Sequence, residues 1–180
     1  MENSHIDVEE YIADIYAFSL FVSNIEQWVA YSEDISESWN QLEILNASAL
    51  DEWDSEGRPA HWKKWRDKYQ LEAELLSGKI LYEIELLIDN KAKEIVSDFG
   101  VFSRLVLLIE EDDYLKSKYF DIFNKLENIY LLASCSFEKQ SASILSSSEN
   151  WSLHKEEAFQ LVKLFLSLNY HLVVNKLNPA

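Results

Sequence analysis

Apolar residues recur along most of the chain in steps of three and four, the period of a helix packed on one side. Val8, Ile12, Ile15, Phe18, Val22, Ile25 and Val29 form one such stripe. They predict a long first helix, with Ser4 and Asp7 spaced like a capping box. Ile35, Trp39, Leu42 and Leu45 predict a second helix over 33–45, with Ser32 as N-cap and Asn46 as its stop. The stretch 47–59, rich in acids and ending Gly57-Arg58-Pro59, reads as a loop. Pro59 suits the first turn of a third helix. Trp62, Trp65, Tyr69, Ala73 and Leu76 share a face of that helix.

Gly78 either ends this helix or interrupts it. Ile80, Ile84, Leu87, Lys91 and Ile95 keep the helical period, although Ile80, Tyr82, Ile84, Leu86 and Ile88 also alternate as in a strand. Glu83, Glu85 and the following Lys-Ala-Lys-Glu favour helix over 79–97. Phe99-Gly100 reads as a break and 101–110 as a short buried segment. Asp112 and Asp113 then cap and open a helix carrying Leu115, Tyr119, Ile122, Leu126, Ile129 and Ala133. The small polar tract 141–148 reads as a link. A last helix over 152–175 points Leu153, Ala158, Leu161, Phe165, Leu168 and Leu172 inward. The sum is an all-α chain, a single-domain antiparallel bundle of about six or seven helices over 1–180.

Composition supports that reading. Three glycines and two prolines in 180 residues leave little material for tight turns. A hydrophobic fraction of 48% is ample for a packed core. The single cysteine, Cys135, allows no internal disulfide and reads as a buried structural thiol. The N-terminus lacks the basic region of a signal peptide, and no apolar run approaches a membrane span of about 20 residues. A soluble cytoplasmic protein is expected.

Charge changes the picture more. The first 57 residues carry 14 acids and no lysine or arginine; Arg58 is the first base. They account for nearly all of the net charge of −16. A field of one sign favours a basic partner and repels nucleic acid and anionic lipid. The basic cluster Lys63, Lys64, Arg66 and Lys68 follows at once, and its simplest role is to neutralise part of that segment within the fold.

Catalytic patterns are sparse. His5, His61, His154 and His171 do not pair at metal-ligand spacing, and Glu2 with His5 supplies only one half of a di-iron motif. Glu110-Glu-Asp-Asp113 has no E-x-x-E partner motif upstream of it. No phosphate loop, dinucleotide fingerprint or nucleophile elbow is present. No cofactor and no metal site are expected.

Five of the six tryptophans lie between Trp28 and Trp65. Trp28, Trp39 and Trp65 sit on apolar stripes and read as core. Trp53, among Asp51, Glu52, Asp54 and Glu56 in an expected loop, reads as a partly exposed anchor ringed by charge. The acidic third 1–57 is therefore the expected binding part, through Glu33, Asp34, Glu37, Asp51, Glu52, Trp53, Asp54 and Glu56. The class that fits is a non-enzymatic bacterial inhibitor: an immunity protein or antitoxin occluding a basic toxin, foremost a nuclease. One alternative is a phage or mobile-element protein that mimics DNA. Another is an all-α metal-dependent nucleotide hydrolase using Glu83, Glu110 and Asp113. Oligomeric state is left open by the sequence.

Overall fold

The computed structural model describes residues 8–138 and 147–177, with side chains described outside 135–138 and 147–149. The Ser4–Asp7 capping box, Glu2, His5, the Cys135 side chain and most of the polar tract 141–148 lie outside the described residues. Among the described residues the chain is all α. Its helices are α1 (Glu9–Ile12), α2 (Ile15–Ile25), α3 (Glu33–Ser55), α4 (Gln70–Ser97), α5 (Phe99–Glu110), α6 (Asp113–Lys118), α7 (Phe120–Glu138) and α8 (Ser147–Leu177). A 3₁₀ segment, Glu26–Tyr31, links α2 to α3, and a π-turn, Trp65–Tyr69, leads into α4. No described helix is long and apolar enough to cross a membrane. The chain forms two compact units, Met1–Leu87 and Ile88–Ala180, and α4 runs through the boundary.

In the first unit, the expected long first helix is divided. Asp14 takes an extended backbone (φ −150°, ψ 176°), and its Oδ1 accepts a hydrogen bond from the Ala17 amide at 2.8 Å. That cap starts a new helix inside an unbroken apolar stripe. Ser32 caps α3 as expected, its Oγ accepting from the Ile35 amide at 3.4 Å. Asn46 does not stop α3. Its Oδ1 accepts from the Ser19 hydroxyl at 2.7 Å, so the side chain is spent on α2 rather than on its own backbone. The expected loop 47–59 is therefore helix as far as Ser55. The turn comes at Gly57, with φ +82°, where a side chain would be strained.

Partners along α2 and α3 run in opposite directions. Tyr16 meets Trp53, Ser19 meets Asn46, and the carbonyl of Val22 accepts from the indole of Trp39 at 2.8 Å. The pair is an antiparallel hairpin. Helical turns resume at Lys63 rather than Pro59. Trp65 donates its indole N–H to the carbonyl of Ile12 at 2.8 Å, closing the core over Phe18. Trp28 and Trp65 are buried as expected, whereas Trp39, also expected in the core, is half-buried. Gly78 neither ends nor breaks α4, and 79–97 is helix, not strand.

In the second unit, Asp98 caps α5, so helix begins at Phe99 instead of breaking there. Asp112 caps α6 through the Leu115 amide at 3.1 Å, as its position promised. The helix expected to continue to Ala133 is divided at Tyr119, whose backbone (φ −113°, ψ 38°) leaves the helical region. Helices α7 and α8 are again antiparallel. The Asn150 amide donates to the carbonyl of Ala133 at 3.2 Å, and Tyr119 packs edge-on against Phe165. Trp151 sets the register of α8: its indole donates to the carbonyl of Val96 at 2.8 Å and its ring packs on Phe99 and Phe102. From that anchor Ala158, Val162, Phe165 and Val173 turn inward, whereas Leu153 and Leu168, expected inside, are exposed. Helix α8 kinks at Asn169.

Candidate functional site

All eight residues expected to contact a partner lie on α3 or in the turn that ends it. The fold sorts them into three groups.

Trp53 is corrected. It is only 2% exposed, not a partly exposed anchor in a loop. Because α3 continues past Asn46, Trp53 lies 18 residues after Ile35, which is five whole turns, and so on the same inward side. Its indole donates to the carbonyl of Pro59 at 3.1 Å, and Tyr16 meets its ring edge-on at 4.8 Å. The guanidinium of Arg58 covers the ring at 5.3 Å.

Glu52, Asp54 and Glu56 form the second group and are neutralised internally. Glu52 holds Lys68 at 2.7 Å and Lys64 at 3.2 Å, and accepts from the Tyr69 hydroxyl. Lys68, then Tyr69, pull its pKa from 4.5 to about 2, against partial desolvation. Glu56 accepts from Lys64 and from the Trp62 indole, which lower its pKa in that order. Asp54 pairs with Arg58, whose pKa is raised. The expected neutralisation by the basic cluster thus holds for Lys64 and Lys68. Lys63 and Arg66 make no ion pair among the described residues.

Glu33, Asp34, Glu37 and Asp51 are the third group. All are exposed and without an ion pair among the described residues. Glu33 and Asp34 also complement the positive end of the α3 dipole. Glu37 and Asp51 lie beyond the first turn and have no such local duty. Glu33 and Asp51 are again 18 residues apart, five turns and about 27 Å along one line of the helix. Glu37, Ile44 and Asp51 follow the same line in steps of seven. Ile44 is 68% exposed and was missed from sequence. Its signal was position: it falls off the inward stripe and in line with the acids. Beside it runs a shallow groove of about 460 Å³, in which Ile44, Gln41 and Ser48 of α3 face Glu72 and Leu76 of α4.

A second cleft of about 490 Å³ lies at the π-turn, lined by Tyr16, Trp53, Trp62, Trp65, His61 and Arg66 among others. Trp53 and Trp65 have committed their N–H groups to backbone carbonyls, so neither indole has a donor left for a ligand in the cleft. Among the described residues no three His, Cys, Asp or Glu side chains converge as metal ligands.

Among the described residues these features define an all-α protein in which the outer face of α3 is acidic and incompletely neutralised. Compared with family models, characterised proteins and solved structures, the chain matches none.

Proposed function

We propose that this protein is a non-enzymatic inhibitor, an immunity protein or antitoxin, that binds a basic toxin through the outer face of α3. A nuclease is the partner class with the right chemistry, since its cleft must carry cations to hold phosphate. One observation carries the reading. After the fold has paired Glu52, Asp54 and Glu56, it leaves Glu33, Asp34, Glu37 and Asp51 exposed and uncompensated along α3. The first unit as a whole holds 19 acids against 6 bases. Such repulsion destabilises a fold unless a partner relieves it. The binding set is therefore Glu33, Asp34, Glu37 and Asp51, with Ile44 in place of Trp53 as the apolar contact. Carboxylates along about 27 Å of helix would occupy positions meant for successive phosphates.

The test is capture of the partner from the native host, followed by its identification and kinetics with a Glu33→Lys, Glu37→Lys, Asp51→Lys variant. Association is expected to slow by ~10- to 10³-fold at low salt. The wild-type rate is expected to fall with added salt, because exposed charges are screened beyond ~8–10 Å. An unchanged rate in a folded variant removes α3 as the site. Mg²⁺-dependent turnover of nucleotides by the purified chain overturns the inhibitor reading.

A further inference from the structure

Helix α4 has two apolar faces. Ala73, Ile80 and Ile84 are buried on one. On the other, Leu71 is 70% exposed, Leu75 67%, Tyr82 62% and Leu86 47%. With Gly78 these positions advance by 4, 3, 4 and 4 residues, which keeps all five within an arc of about 80°. The result is a strip about 22 Å long, some four turns of helix. Isolated exposed leucines are ordinary; an aligned strip of four large apolar side chains marks an interaction surface. Gly78 leaves a notch at the middle of the strip, since a Cβ built there meets nothing within 4 Å.

Charge selects the occupant. Glu72, Glu74 and Glu85 flank the strip, against Lys79 as the one basic side chain between Leu71 and Leu86. A second copy of the chain would set these carboxylates against their own kind, and an anionic bilayer would meet the same repulsion. We propose that the Leu71–Leu86 strip of α4 is the docking site for a basic amphipathic helix of a partner protein, its apolar residues on the leucines and its Lys or Arg on the flanking glutamates. This is recognition of a helix by a matching apolar strip. The inference rests on the basic-partner reading only for the sign of the partner's charge. The groove beside Ile44 is walled on α4 by Leu76 and by Glu72, one of the glutamates that flank the strip.

The test uses the full chain and a fluorescein-labelled 18-residue peptide with leucines at helical spacing and lysines on both flanks, read by anisotropy. A control peptide carries glutamate in place of lysine. The lysine peptide is expected to bind and the glutamate peptide to bind at least tenfold more weakly. Leu71→Ser with Leu75→Ser keeps every charge and is expected to weaken the lysine peptide at least tenfold. Gly78→Arg, placed in open space, is expected to weaken it as well, and guards against loss of fold in the serine variant. Equal binding by wild type and both variants overturns the proposal. So does concentration-dependent self-association, or binding to phosphatidylglycerol vesicles, that the serine substitutions abolish. The Glu33→Lys, Glu37→Lys, Asp51→Lys variant separates the two readings. If it binds the captured partner normally while the serine variant does not, the α3 site fails and the strip stands; the reverse result removes the strip.

Discussion

Trp53 offers the sharpest check on the sorting of the acidic segment. A buried tryptophan removes roughly 200 Å² from water, of which Ala would keep about a quarter. The difference of about 150 Å², at about 25 cal/mol per Å², amounts to ~4 kcal/mol. That value lies within the ~3–5 kcal/mol typical of Trp or Phe to Ala in a core. An exposed anchor would cost within about 0.5 kcal/mol on folding. Trp53→Phe separates ring from N–H. It keeps much of the packing but leaves the Pro59 carbonyl without its partner, an expected loss of ~1–3 kcal/mol. The assay is urea unfolding followed by tryptophan fluorescence. Five of the six tryptophans lie in the first unit, so the signal reports that unit directly. The expected order of stability is wild type, then Phe, then Ala. A Trp53→Ala protein within about 1 kcal/mol of wild type would refute the burial of this ring and restore it as a surface residue.

Two further outcomes follow from the ion pairs and caps. Glu52 titrates at about 2 in the folded chain against 4.5 ordinarily, so its contribution is full above about pH 4.5 and is lost as pH falls toward about 2. Glu52→Gln should flatten the acid limb of stability measured by urea midpoint between those values; limbs of equal slope in the two proteins would mean that Lys68 and Tyr69 do not hold the carboxylate. Asp112→Ala removes the α6 cap and is expected to cost ~0.5–2 kcal/mol, with Asp112→Asn retaining most of it, as read by thermal unfolding; equal losses in both variants would show that charge rather than capping matters there.

Much of the fold was legible because it depends on local order. The stripes of α2, α4, α7 and α8 gave all-α class, and Ser32 and Asp112 marked helix starts through bonds to their own next turn. Division at Asp14 and Tyr119 was hidden by apolar stripes that continue across both breaks. The site was less legible. The excess of acids and the inward Trp28 and Trp65 could be read, but Trp53 turned inward because α3 runs past Asn46, and the exposed Ile44 was overlooked although its place off the stripe was already visible.

The sequence by itself determined that the chain is helical, that its charge is concentrated in the first 57 residues and that the next segment holds cations able to answer part of it. Periodicity and charge counts are properties of neighbours along the chain, and they survive without knowledge of distant contacts. Only the tertiary structure decided where helix α3 ends and which acids remain unanswered. Both depended on partners far away in sequence: Asn46 takes the hydroxyl of Ser19, 27 residues earlier, and Glu52 takes Lys68, 16 residues later. A polar side chain that finds such a partner stops acting on its own backbone or on solvent. That exchange turned an expected acidic loop into a helix whose outer face, from Glu33 to Asp51, carries the carboxylates left over.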